Sequence, residues 1–282
     1  MLLTDTQLPE WYTKFEFIKS GYRRPDSLVR VFFSIFEWHN ETLNIHTHLL
    51  PALWFTYKLY TIQDEVFFVE SSVYAKFCIL SGYMNAILLL FASAFAHTFH
   101  IVDKEHNTRC WCYDFTGIIA CNLGRQYVDS FLLFITVLKT PLVFLSAVCI
   151  ESVFAFYCIY QIVYIEGARH YWGMMYPAIS SIIFIAPVTY ISQKSDILLI
   201  EQNINPIVFR EATKHSLWCS LYIFIAGLAF YKGKIPERFW NPRGIFDYCH
   251  SHVWHHLCIV FSVVSAMAVA PLLYKLEVFR AR

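Results

Sequence analysis

The chain alternates long apolar runs with short polar ones. The hydrocarbon core of a bilayer is about 30 Å thick, which at 1.5 Å per residue takes about 20 residues of helix. Seven runs reach or approach that length: residues 46–62, 77–101, 115–138, 140–164, 171–193, 216–231 and 248–274. The sixth is the shortest. The second and seventh hold no Asp, Glu, Lys or Arg. A soluble helical protein needs one polar face on each helix. The second, fifth and seventh runs have none, which excludes that class. The pattern predicts an all-α membrane protein, a seven-transmembrane helix bundle in one domain. Residues 1–45 form a segment ahead of the bundle, 46–275 the transmembrane domain and 276–282 a short tail.

Composition agrees with the pattern. Hydrophobic residues make up 57% of the 282 and charged residues 15%, where soluble domains average about 45–50% and about 25%. The net charge of +1 excludes a nucleic-acid partner, which calls for a basic stripe. Most of the nine cysteines fall inside apolar runs, where a free thiol packs as a small hydrophobe. Residues 1–20 include Glu10, Lys14, Glu16 and Lys19 and lack an apolar core of signal-peptide length. The first helix is therefore expected to act as the insertion signal. With the N-terminus inside, twelve Lys and Arg lie on the inner side and eight on the outer, with Lys58 and Arg125 inside helices. The excess of inner positive charge predicts a cytoplasmic N-terminus.

A polar group in hydrocarbon is costly, so each one inside a run asks for a reason. Four of the twelve histidines lie within seven residues: His250, His252, His255 and His256. His252 and His256 are four apart and share one face of a helix. This is the spacing by which one helix offers two imidazoles to one metal ion. Ser93 and His97 on the second run are also four apart, and Asp114 opens the third. With the N-terminus inside, His97 and His252 each lie four residues from the inner boundary, about 6 Å deep. The three imidazoles of His97, His252 and His256 then meet at one depth. Three histidines and a water make a zinc site of the open, catalytic type. Asp114 could orient that water or take its proton. The alternative is a set of interfacial histidines without a metal.

Two further groups stand out. Arg125 and Asp129 are four apart in the third run and can form an intrahelical ion pair. They either neutralise each other inside the bundle or line a polar cavity from its outer half. Glu151, mid-way along the fourth run, has no partner nearby in sequence. Residues 37–48, just before the first helix, are dense in groups that cap helices and bond backbone. Their physical reading is a capping and packing segment.

These groups, in this order, resemble the motifs of the progestin and adipoQ receptor family. A Glu followed by Asn-Glu-x-x-Asn-x-x-Thr-His matches Glu37, Asn40, Glu41, Asn44, Thr47 and His48. Ser-x-x-x-His and a following Asp element match Ser93, His97, Asp114, Gly117 and Ile118. Pro-Glu-Arg, Phe-Asp and Ser-His-x-x-x-His match Pro236, Glu237, Arg238, Phe246, Asp247, Ser251, His252 and His256. The resemblance spans nearly the whole chain. Gly21-Tyr22-Arg23-Arg24-Pro25 and Ala96-His97-Thr98-Phe99 look more like the membrane progestin receptor branch than the adiponectin branch. His46, Phe115, Val253 and His255 depart from the usual residues, and His255 is a rival ligand to His256. The chain ends soon after the seventh run, where progestin-type members usually carry an eighth segment.

The resemblance implies a seven-helix bundle with a cytoplasmic N-terminus and zinc (Zn2+) on His97, His252 and His256, with Asp114 and Ser93 beside its water. It implies a signalling receptor for a steroid or other lipid ligand, set among membrane lipids and acting on a G protein or other cytoplasmic effector. The plasma membrane is the expected location, with the Golgi or endoplasmic reticulum as alternatives. A second function fits the same residues: a zinc-dependent lipid amidase of the ceramidase kind, with Asp114 and Ser93 as its catalytic residues.

Overall fold

The computed structural model describes residues 2–165, 172, 175–176, 179, 183, 186–194 and 196–280. Most of the fifth apolar run, 171–193, therefore lies outside the described residues; within it 186–192 are helical. Among the described residues the chain is helical, with one isolated bridge between Leu3 and Tyr22 in place of any strand.

The long helices are α1 (Thr42–Thr61), α2 (Val73–Phe99), α3 (Lys104–Ser130), α4 (Pro141–Tyr164), α5 (Pro206–Ile225), α6 (Ser251–Met267) and α7 (Ala270–Arg280). Among the described residues, three stretches are long and apolar enough to cross a membrane: Val73–Phe99, Pro141–Tyr164 and Ser251–Phe279. α4 shows why water is the wrong solvent. Its outer face presents Leu142, Ile150, Val153 and Phe156, each at least 69% exposed, an apolar stripe that suits lipid. Its inner face is sealed by Phe144, Ala155, Cys158 and Ile162.

Two helix starts differ from the apolar pattern. α3 begins at Lys104 rather than 115, so Asp114 sits in its third turn and does not open it. The Asp103 side chain accepts from the His106 N–H at 2.9 Å, which supplies an N-cap. Glu105 pairs with Arg109 one turn on. Charged residues thus fill the first two turns, where the helix lies beyond the apolar core. α5 begins at Pro206 rather than 216 for the same reason. Asn205 caps the Ile207 and Val208 N–H groups, Pro206 takes the first helical position, and Arg210, Glu211 and Lys214 occupy the next turns. At the other end of the chain, α7 carries helix to Arg280, through most of the span expected as tail.

α2 and α3 pack closely, and Gly117 makes that possible. A Cβ there would come within 2.9 Å of the Leu89 Cα, a backbone atom that no rotamer change can move. Gly117→Ala is expected to force α3 away from α2 and to cost about 1–3 kcal/mol. A lowered thermal midpoint in detergent would show this; an unchanged midpoint would mean that the helices close up some other way.

The segment ahead of α1 is folded against one end of the bundle. Tyr12, Ile18, Tyr22 and Val31 are buried with Ile101 in a small core of their own. Trp111 Nε1 donates to Thr13 Oγ1 at 2.7 Å, and Thr13 in turn donates to Asn107 at 3.0 Å. Ser20 Oγ donates to Asp247 Oδ2 at 2.6 Å. Arg23, buried, donates to the His97 carbonyl at 2.6 Å and to Ser34 Oγ at 2.7 Å. Burial, with Arg23 nearby, pushes the His39 imidazole down to about 3. Its Nδ1 accepts from the Glu41 N–H and its Nε2 donates to the Ser34 carbonyl, as a neutral ring does.

Candidate metal centre

Three helix positions converge beneath that folded segment. α2 contributes His97, one turn beyond Ser93. α6 contributes His252 and His256 on one face, near its start. The start itself is held by Glu237, whose carboxylate accepts from the Ser251 N–H at 2.8 Å and from the Ser251 hydroxyl. An acidic group at a helix N-terminus satisfies free N–H groups and complements the dipole. This gives the Pro-Glu-Arg and Ser-His motifs a physical link: one anchors the helix that presents the other.

One ligand nitrogen from each of His97, His252 and His256 lies within 4.8 Å of the others, and all three residues are buried. His97 Nε2 and His252 Nε2 are 3.2 Å apart. Zinc–imidazole bonds of 2.0–2.1 Å in a tetrahedron put ligand nitrogens about 3.3 Å apart, so the spacing fits zinc. The ring partners fit as well. His97 Nδ1 donates to Glu41 Oε2 at 2.9 Å, and His256 Nδ1 donates to the Asn44 carbonyl at 3.0 Å. A carboxylate and a carbonyl only accept, so both rings carry their proton on Nδ1 and leave the Nε2 lone pair for a metal. Carboxylate or carbonyl support of this kind orients ligating histidines and raises their basicity.

His255, the rival ligand, turns elsewhere. Its Nδ1 donates to the Ala226 carbonyl at 3.2 Å. Ala226 begins the wide π-helical turn 226–232 that follows α5, and such turns favour functional sites. Tyr231 from that turn, His255, Asp114 and Ser93 line one cavity with His252 and His256, closed on its other sides by Leu89, Ile118 and Ile259. Ser93 Oγ lies toward the Asp114 carboxyl but makes no hydrogen bond of good geometry. The expected site residues Ser93, His97, Asp114, His252 and His256 are thus brought together. Phe15 of the leading segment lies tilted against His252 at a centroid distance of 5.3 Å and against His250 at 4.6 Å, so this end is covered.

Glu41 is the residue that sequence reasoning left as capping. It is 1% exposed and holds two histidines, His97 and, through Oε1, His100 at 3.1 Å. Asn44 Nδ2 donates to its Oε2 at 2.6 Å. The Glu-x-x-Asn spacing was visible in the sequence, but its target on α2 was not. His48 was likewise set aside as part of a packing segment, yet it lines the cavity.

Arg125, Asp129 and Glu151 stand apart from this centre. Eleven residues of α3 separate Arg125 from Asp114, about 16 Å of helix. Arg125 Nη1 donates to Asp129 Oδ2 at 2.9 Å and Ser216 Oγ to Asp129 Oδ1 at 2.7 Å. Ser130 Oγ donates to Glu151 Oε1 at 2.5 Å. The arrangement is the self-neutralising pair of the two sequence-level alternatives, and Glu151 gains the partner that sequence proximity did not offer.

Comparison with known proteins places this geometry in a family. A profile described as haemolysin-III related matches residues 36–267. The chain is 26% identical to heptahelical transmembrane protein 1 of Arabidopsis thaliana, over 96% of this chain and 80% of that protein. It is 23% identical to heptahelical transmembrane protein ADIPOR1 of Oryza sativa, over 95% and 83%. It is 32% identical to membrane progestin receptor delta of Homo sapiens, over 39% of this chain and 32% of that protein. The chain is an integral, multi-pass membrane protein, and it belongs to the haemolysin-III-related family, that of the progestin and adipoQ receptors.

Proposed function

We propose that this protein is a seven-transmembrane receptor whose zinc ion is held by His97, His252 and His256 at the cytoplasmic end of the bundle, and that its ligand is a steroid or other lipid. The observation that carries the reading is the buried triad with Glu41 and Asn44 behind it, opening on a cavity with polar and apolar walls. The relatives support the receptor part: several are membrane progestin receptors by name, and others are heptahelical. Lys14, Lys19, Arg23, Arg24 and Arg30 precede α1, which favours a cytoplasmic N-terminus.

Ligand binding would bias the bundle at its capped end. His252 lies under Phe15, and the carbonyl of His97 is held by Arg23. A lipid head that shifts either histidine would therefore disturb the segment that faces a G protein or other cytoplasmic effector.

The same cavity supports a second reading, a lipid amidase, because Asp114 and Ser93 line it beside the triad. Zinc, when bound, supplies a Lewis acid and lowers the pKa of its water toward about 7. Asp114 would accept the proton of the attacking water, and Ser93 would hold that water in line. Asp114→Asn separates the readings. The receptor reading expects saturable binding of radiolabelled progesterone to survive the substitution, with zinc retained and no hydrolysis of a fluorescent N-acyl sphingosine by either form. Hydrolysis by the wild type that vanishes in Asp114→Asn would install the amidase instead. No saturable steroid or lipid binding by the wild type would sink the receptor.

A further inference from the structure

One buried imidazole in this cavity packs but does not hydrogen-bond. His48, on α1, is 2% exposed. The backbone of His256 lies near it, yet neither of its ring nitrogens makes a hydrogen bond of acceptable geometry. Five other imidazoles nearby each have one ring nitrogen bonded to a carboxylate or carbonyl: His97 and His100 to Glu41, His250 to the Asn40 carbonyl, His255 to the Ala226 carbonyl, His256 to the Asn44 carbonyl. Buried polar atoms are paired almost without exception, and an orphan costs about 1–3 kcal/mol. Two orphan nitrogens on one ring therefore point to a partner that the chain does not itself supply.

Position says where that partner sits. His48 stacks flat on His256, with centroids 3.8 Å apart and planes within 8°. The stack holds the plane of the ring against His256. It lines the cavity with Ser93, Asp114 and His252, and Ser93 Oγ is also without a hydrogen bond of good geometry. Leu89, Phe115, Ile118 and Ile259 supply its apolar walls. The cavity, about 20 Å³, mixes hydrogen-bonding and aliphatic groups in its walls and has room for the hydroxyl end of a lipid rather than for its chain.

We propose that His48 is a specificity-determining residue that hydrogen-bonds a hydroxyl which a lipid presents to this cavity. The inference rests on the reading of the cavity as a lipid site. A neutral imidazole carries one N–H and one lone pair, and a hydroxyl both donates and accepts. Whichever ring nitrogen carries the proton, a hydroxyl satisfies the one that faces it. An ether of the same length can only accept, and leaves the lone pair or Ser93 unanswered. A site built to bond a hydroxyl rejects the analogue that lacks it, because buried groups are then left unpaired.

The test uses the full chain in phosphatidylcholine nanodiscs, titrated with radiolabelled 1-dodecanol and with its methyl ether. Wild type is expected to bind the alcohol about tenfold more tightly, the worth of one net buried hydrogen bond. His48→Phe is expected to erase that preference while keeping the zinc content and the affinity for the ether. His48→Gln, which retains a donor and an acceptor, is expected to keep a preference. If His48→Phe fails to fold, His48→Leu carries the same expectation. Equal binding of alcohol and ether by wild type, or a preference that survives His48→Phe, overturns the inference alone. Loss of zinc from a folded His48→Phe also overturns it, since His48 would then act through the triad. Wild type that binds neither probe overturns the lipid reading of the cavity, and this inference with it.

Discussion

Protein purified in detergent is expected to carry about one zinc per chain, and the His252→Ala/His256→Ala double variant none. Elemental analysis of both preparations reads this directly. The expectation follows from the ring partners more than from the histidine count. Glu41 and the Asn44 carbonyl leave the Nε2 atoms of His97 and His256 as lone pairs, and His97 Nε2 lies 3.2 Å from His252 Nε2. Removing two of three ligands leaves one imidazole, too few for a stable site. His255→Ala is the matched control, because His255 bonds the Ala226 carbonyl and should keep the metal. A zinc-free wild type that is otherwise folded would end the metal reading, and would leave the histidines as packing and ligand-binding groups.

Glu41→Ala is expected to weaken zinc binding by about 10–100-fold, the usual cost of removing an outer partner of a ligating histidine. Competition against a chelator of known affinity measures it. The same change should lower stability by about 1–3 kcal/mol for each ring nitrogen it strands, since the buried rings of His97 and His100 share this one acceptor. Glu41→Gln keeps an acceptor oxygen for one of the two rings, so it should fall between Ala and wild type on both measures. Zinc affinity unchanged in Glu41→Ala would return Glu41 to a capping residue with no part in the centre.

The two predictions differ in what the sequence could have said about them. His252 and His256 are four apart, and Ser93 and His97 are four apart. Helical periodicity alone puts each pair on one face, and the length of the apolar runs places both pairs near one end of the bundle. Glu41 and Asn44 are three apart on the first turn of α1, a spacing equally suited to capping. Nothing local tells that their side chains reach α2 and α6. The same holds for His48, whose position in the sequence looks like a helix interior and whose ring lies on His256.

Boundaries divide in the same way. The apolar runs located α2 and α4 to within a few residues, since those helices are apolar over nearly their whole length. They missed the first eleven residues of α3 and the first ten of α5. Those turns are charged, and they hold helix through Asp103, Asn205 and Pro206 and through contact with their neighbours. The sequence by itself determined a helical membrane protein, the faces that carry its histidines and the family it resembles. These follow from hydrophobic length and from period, both local along the chain. The tertiary structure alone decided which nitrogens face one another, which carboxylate supports them and which imidazole is left free for a ligand. Those are pairings between segments 56 to 212 residues apart, set by how helices close on one another.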